Sequence, residues 1–220
     1  MPRLISRATL ATAALVATAG AQAVTLVGLT SANQLATIDT ANIAGATTTA
    51  ITGLASGDRL VGIDLRPSDA MLYGISLSNK IYTIDLSSGA ATQVATLSSA
   101  IINPSLGYGI DFNPVADYAN GSSLRLTSSA GSNYAINAGS GVVGNSASNI
   151  GGSYTGVAYT NSVPKPTAAP AGTALYYIDS NTDMLMMAPG AFNAPTISAV
   201  GPLGVDALKA YGFDIGANGM

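Results

Sequence analysis

Three short segments of this chain share one pattern: a glycine, then an apolar residue, then an aspartate. They are Gly62-Ile63-Asp64, Gly109-Ile110-Asp111 and Gly212-Phe213-Asp214, with a degenerate copy at Gly156-Val157-Ala158. In chain order the four copies start 47, 47 and 56 residues apart. A repeat of roughly 40–50 residues made of short strands is typical of a β-propeller, so the spacing constrains the fold more than any other feature.

A hairpin pattern recurs with the same period. Residues 25–40 align with residues 72–86 at an offset of 46, and further copies occupy 124–137 and 175–184. Each copy alternates apolar and polar residues and is interrupted by Ser, Asn or Gly, which predicts an antiparallel hairpin. A third run of the same kind follows each hairpin. The repeating unit is therefore predicted to have four strands, beginning with the Gly-x-Asp strand.

The first unit lacks a Gly-x-Asp strand, and the spare copy lies at the far end of the chain. The unit begins at its second strand, residues 24–30, whereas residues 211–215 follow the last complete unit. A ring closed by this last strand leaves no inner edge unpaired. The sequence predicts an all-β chain, a β-propeller of four four-stranded blades in which the C-terminal strand completes the first blade.

The first 23 residues have the layout of a secretory signal peptide. Arg3 and Arg7 precede an apolar run over residues 8–20, and residues 21–23 form a small-x-small cleavage site. We predict a signal peptide over 1–23 and a single propeller domain over 24–220, exported to the periplasm or the medium. No later segment is apolar over enough residues for a membrane helix, so no membrane anchor is expected after cleavage.

Composition excludes several classes of function. The chain has no Cys, His or Glu, and eleven Asp against eight Lys and Arg. The usual thiolate and imidazole ligands of metals are therefore absent, as is the commonest general base. No cluster of basic residues is present, so we expect no nucleic-acid partner. We also expect no cofactor, no catalytic residue and no metal site.

Longer motifs in the chain resemble a bacterial family of exported proteins, domain of unknown function 4394. The motifs cover residues 60–74, 109–117 and 201–215, and the resemblance extends over the whole mature chain. This chain departs from the family pattern by an insertion at residues 118–123, after which Arg125 takes the place of one family arginine; a second is missing. The resemblance implies export and a propeller-like all-β fold, and it implies no activity.

Five residues are candidates for ligand binding: Asp64, Asp111, Asp214, Arg66 and Arg125. The three aspartates are equivalent in the repeat, so they are expected near the channel mouth, where they bind Ca²⁺ or a polar ligand. The alternative is that each accepts backbone hydrogen bonds or joins one blade to the next, each acting alone. The arginines either bind an anionic ligand or pair with an Asp between blades.

Two classes of function remain open from the sequence. The first is a non-enzymatic interaction or ligand-binding module for an unknown protein, glycan or surface. The second is a secreted lyase or hydrolase that uses Asp and Tyr residues on propeller loops, with Ca²⁺ assistance in one version. The first is favoured because the chain lacks His, Cys and Glu, which are common catalytic residues, and because the loops are short.

Overall fold

A computed structural model describes residues 23–145, 149–207 and 212–216 of the chain. Within these ranges the strands are β1 (Thr25–Leu29), β2 (Gln34–Asp39), β3 (Asn42–Ala50), β4 (Leu60–Leu65), β5 (Leu72–Ser76), β6 (Lys80–Ile84), β7 (Ala91–Thr96), β8 (Tyr108–Phe112), β9 (Leu124–Ser128), β10 (Asn133–Ile136), β11 (Val143–Gly144), β12 (Tyr154–Tyr159), β13 (Leu175–Asp179), β14 (Met184–Ala188) and β15 (Ser198–Pro202). One helix, α1 (Pro114–Tyr118), lies between β8 and β9. Residues 1–22 of the predicted signal peptide lie outside the described residues.

The strands form four antiparallel sheets in which each strand pairs with its neighbour in sequence. Blade one contains β1–β3, blade two β4–β7, blade three β8–β11 and blade four β12–β15. The protein is a four-bladed β-propeller, which confirms the predicted fold class. Among the described residues no helix is long and apolar enough to cross a membrane.

The inner strands meet at the glycines of the repeat. A side chain at Gly62 would come within 3.0 Å of Ile110, and one at Gly109 within 2.9 Å of the backbone of Gly156. A side chain at Gly156 would in turn come within 3.1 Å of the Cβ of Phe213. These positions require glycine because the next inner strand lies against them. The contacts run from blade two to the C-terminal segment, in the predicted order.

The C-terminal segment occupies the centre of the ring without forming a described strand. Gly212 and Phe213 line the central channel together with residues of β4, β8 and β12. Residues 212–216 have no strand assignment, and the described sheet of blade one has three strands. Tyr211, the first residue of the predicted closing strand, lies outside the described residues. The segment therefore has the predicted position, but the described part forms no ladder with β1.

Three blades each have a turn whose side chain hydrogen-bonds to the backbone of the segment that follows the blade. The turn residues are Asn33, Asn79 and Asp183, all in the left-handed region with φ between 54° and 60°. Their side-chain oxygens accept hydrogen bonds from the backbone N–H groups of Leu60, Ile101 and Ala207, at 2.8–2.9 Å. Asn and Asp tolerate this conformation and also supply the acceptor, which explains why they recur here.

The apolar core lies mainly where blades face each other. Phe112 of blade three packs edge-on against Tyr73 of blade two, with ring centroids 5.4 Å apart. Leu35 of blade one packs with Leu60 and Tyr82 of blade two. Blades therefore stabilise one another by burying apolar surface, which a chain without disulfides requires.

Candidate functional site

Two of the candidate aspartates join consecutive blades. Asp64 of blade two accepts a hydrogen bond from the backbone N–H of Phe112, at 2.7 Å. Asp111 of blade three accepts one from the backbone N–H of Tyr159 in blade four, at 2.5 Å. Both bonds connect residues 48 positions apart, so the same contact between blades occurs twice. They place the C-terminal ends of β4, β8 and β12 at one face of the ring, which we call the upper face.

Asp64 and Asp111 also hydrogen-bond to each other through their carboxyl groups. Burial, together with the nearby charge of Asp214, raises the pKa of Asp64 to about 7. Burial and the charge of Asp64 raise the pKa of Asp111 well above its usual value. Two adjacent carboxylates repel each other strongly, so the pair keeps a proton that isolated aspartates lose. The hydrogen bonds to Phe112 and Tyr159 fit the alternative in which each aspartate joins one blade to the next, and that each acts alone stays a prediction.

Asp214 lies near this pair but does not complete a ligand cage. Its side chain is exposed and accepts a hydrogen bond from the backbone N–H of Ile215, at 2.7 Å. Among the described residues, no three acidic side chains are placed to hold a metal ion. The structure brings the three predicted aspartates into electrostatic contact at the upper end of the channel.

Arg66 joins blade two to blade three through a buried carboxylate. Its Nε lies 2.7 Å from Oδ1 of Asp117, which is fully buried. Asp117 also accepts hydrogen bonds from the backbone N–H of Ser68 at 2.8 Å and the hydroxyl of Ser123 at 3.0 Å. The predicted pairing of Arg66 with an Asp between blades is confirmed. Removing Arg66 would leave the buried Asp117 carboxylate without its ion-pair partner, whereas removing Asp117 would leave Arg66 with the more exposed Asp69, 3.6 Å away.

Asp117 was not among the predicted site residues, although the sequence around it carries a signal. Asn113 caps helix α1 by accepting hydrogen bonds from the backbone N–H groups of Val115 and Ala116, both at 3.0 Å. Pro114 occupies the first turn, where its missing N–H costs nothing. This Asn-Pro start predicts a short helix, and α1 places Asp117 beside blade two.

Arg125 is buried with neutral partners rather than with an aspartate. It is 4% exposed, and its guanidinium donates to the hydroxyl of Tyr159 at 3.2 Å. It also donates to the side-chain oxygens of Asn133 and Asn193, both at 3.0 Å. Within the described part of the chain no carboxylate lies within 4 Å of it. The predicted Asp partner is wrong for Arg125, which instead joins blades three and four by neutral hydrogen bonds.

The described inner strands and the C-terminal segment enclose a small cavity in the central channel. Its volume is about 30 Å³, which holds little more than a water molecule. Asp111 is 2% exposed, and the polar groups at the upper end of the channel are used in contacts between blades. Among the described residues, these hydrogen bonds therefore hold neighbouring blades of the ring together.

The upper face instead carries exposed apolar side chains. Six of the twelve exposed large apolar residues of the described chain lie on its turns, its helix and its long loop: Met71, Leu86, Val115, Tyr118, Val142 and Val163. The loop over residues 162–172 lies outside the sheets and is mostly exposed. The backbone N–H of Lys165 donates to the carbonyl of Pro67 at 2.7 Å, so this loop extends from blade four to blade two.

Comparison with known proteins agrees with the motifs. A family model described as Domain of unknown function (DUF4394) matches residues 34–220. The chain belongs to this family. No curated protein matches it. One solved structure similar to this family member is regucalcin, a calcium-binding protein from Agrobacterium tumefaciens, with 18% sequence identity and a TM-score of 0.44. The match covers 85% of this chain and spans 58% of the regucalcin chain.

Proposed function

We propose that this protein is an exported, non-enzymatic β-propeller that acts as an interaction module in the periplasm or outside the cell. Its partner, a protein, glycan or surface, binds at the upper face. One observation carries the proposal: six of the twelve exposed large apolar side chains of the described residues lie on the turns, helix and loop of this face, whereas Asp64, Asp111 and Arg66 are used between blades. Groups of exposed apolar side chains mark protein interaction sites and ligand-binding grooves.

Site-specific photocrosslinking tests this proposal with a matched pair of positions. Val142 lies in a turn of the upper face and is 52% exposed, whereas Val200 lies on the outer strand β15 and is 54% exposed. A photoreactive phenylalanine analogue at each position is activated in intact cells that produce the protein. We expect a discrete adduct of defined mass from position 142 and none from position 200. Equal adducts from both positions, or none from either, would contradict the proposal.

Export is tested separately from partner binding. The proposal requires removal of residues 1–23, so the secreted protein should begin at Val24. Mass spectrometry of protein from the periplasm and the medium measures this directly. Protein that is exported with Met1 still present would exclude the proposed cleavage.

A secreted enzyme is the second candidate, and the Asp64–Asp111 pair is the observation that favours it. A carboxyl group whose pKa is near 7 suits general acid–base catalysis at neutral pH. The burial of Asp111 and the small size of the channel cavity oppose this candidate. Hydrolase and lyase assays with aryl glycosides, aryl esters and acidic polysaccharides, run with the wild type and Asp64→Asn, distinguish the two. Turnover that is lost in Asp64→Asn would establish the enzyme.

A further inference from the structure

Blade two has a groove at its upper end. The groove lies between the β4–β5 turn and the β6–β7 turn, and its volume is about 460 Å³. We call it the blade-two groove, and its lining residues include Met71, Leu72, Ile84, Asp85 and Leu86. A concave site of this size accommodates several side chains of a partner.

The walls of this groove are apolar and open to solvent. Leu72 and Ile84 are buried beneath it, each 4% exposed. Met71 and Leu86 stand on the two flanking turns and are 47% and 44% exposed. Covering two such side chains is favourable by roughly 25 cal/mol for each Å² removed from water. Apolar groups of a ligand therefore gain most by contacting both walls at once.

The same groove holds one unneutralised negative charge. Oδ1 of Asp85 accepts hydrogen bonds from the backbone N–H and the hydroxyl of both Ser87 and Ser88, at 2.6–3.1 Å. These bonds, led by that from the Ser87 hydroxyl, lower the pKa of Asp85 to about 2, so the carboxylate is ionised under all ordinary conditions. None of the residues that line the groove is basic. A cation is thus the complementary group for this site.

The equivalent turns of blades one and three differ from that of blade two in the described residues. In blade three the position of Asp85 is taken by Asn137, whose side-chain oxygen accepts the same kind of turn hydrogen bonds but carries no charge. In blade one Asp39 is exposed in the equivalent turn. Met71 lies in the turn between the first and second strands of blade two. The described sheet of blade one has no strand before β1, so the corresponding turn beside Asp39 is not among the described residues. In blade two the charge of Asp85 lies between two turns that carry exposed apolar side chains, Met71 and Leu86.

We propose that the blade-two groove binds a protein segment in which a lysine or arginine side chain is flanked by apolar side chains. The cation lies against Asp85, and the flanking groups cover Met71 and Leu86. The groove opens on the upper face, whose other exposed apolar side chains provide contact for the rest of a protein partner. This inference rests on the proposed interaction function and specifies the chemistry of the partner.

Fluorescence anisotropy with three labelled heptapeptides tests the inference on the full mature protein. The probes are alternating leucine and lysine, the same peptide with glutamate for lysine, and the same peptide with serine for leucine. We expect binding of the leucine–lysine peptide alone, weakened by added NaCl because the charge pair is exposed. Asp85→Asn and Leu86→Ser should each raise its Kd about tenfold. Met71→Ser provides an independent change in the opposite wall.

The matched control is Asp39→Asn, which removes an exposed turn aspartate from blade one. It should leave the Kd unchanged if the blade-two groove is the site. Three results would overturn the inference: equal binding of the glutamate peptide, an equal effect of Asp39→Asn, or no binding of the leucine–lysine peptide. The interaction function itself would survive these results if position 142 still forms its crosslink, so the two failures are distinguishable.

Discussion

Replacing Asp64 by asparagine should remove the part of the pH dependence of stability that Asp64 contributes, while the buried Asp111 keeps its own. In the folded protein the pKa of Asp64 is raised from 3.8 to about 7, so between these values the native state binds more protons than the unfolded chain. Native-state stability therefore falls as the pH rises through this window, and it levels off above the folded pKa. A shift of about three pKa units corresponds to about 4 kcal/mol at most.

The substitution keeps the hydrogen bond but removes the charge. The side-chain oxygen of asparagine can still accept from the backbone N–H of Phe112, and its amide can donate to Asp111. At pH 4.5, where the wild-type pair is protonated, the variant should match the wild type within about 1 kcal/mol. At pH 8 it should be more stable by about 2–4 kcal/mol, because the wild type has then lost the proton of Asp64.

Urea unfolding followed by circular dichroism from pH 4.5 to 8.5 measures this difference. The chain has no histidine, so the buried carboxyl pair dominates the titration of side chains in this window. Asp39→Asn, an exposed turn aspartate, serves as the control and should keep the wild-type slope. A wild type without a slope, or an Asp64→Asn variant that keeps the full wild-type slope, would refute the raised pKa of Asp64.

Four further outcomes are expected. Gly109→Ala should lower the free energy of unfolding by about 1–3 kcal/mol, because its Cβ would lie 2.9 Å from the backbone of blade four. The control Gly28→Ala should not destabilise the protein, because no described atom lies within 4 Å of its Cβ position. Urea denaturation compares the two variants. Asp117→Ala should cost about 3 kcal/mol by the same assay, since Arg66 then loses its buried partner. Deleting residues 207–220 should abolish cooperative unfolding in calorimetry, because the ring loses the segment against Gly156; a truncated protein that melts like the full chain would contradict closure. Calcium should not raise Tm in thermal-shift measurements, and a rise of several degrees that disappears in Asp64→Asn would contradict this.

The candidate site shows where a repeat pattern stops being informative. Asp64 and Asp111 were recognised as equivalent because they share a position in the repeat, and that equivalence explains their identical hydrogen bonds to the next blade. Their contact with each other was not predicted, because it depends on how closely two inner strands approach. Arg125 differs from Arg66 for a similar reason: its neighbours are Tyr159, Asn133 and Asn193, which come from distant parts of the chain.

The sequence by itself determined the number of blades, the strands in each repeat and the position of the C-terminal segment at the centre of the ring. It could do so because strand alternation, turn residues and the glycines at close contacts are local requirements repeated at a fixed spacing. Only the tertiary structure decided that Asp64 and Asp111 share a proton, that Arg125 has no carboxylate partner among the described residues, and that apolar side chains flank Asp85. These properties depend on the twist and separation of neighbouring blades, because electrostatic and packing energies vary with distances of an ångström that a one-dimensional pattern does not contain.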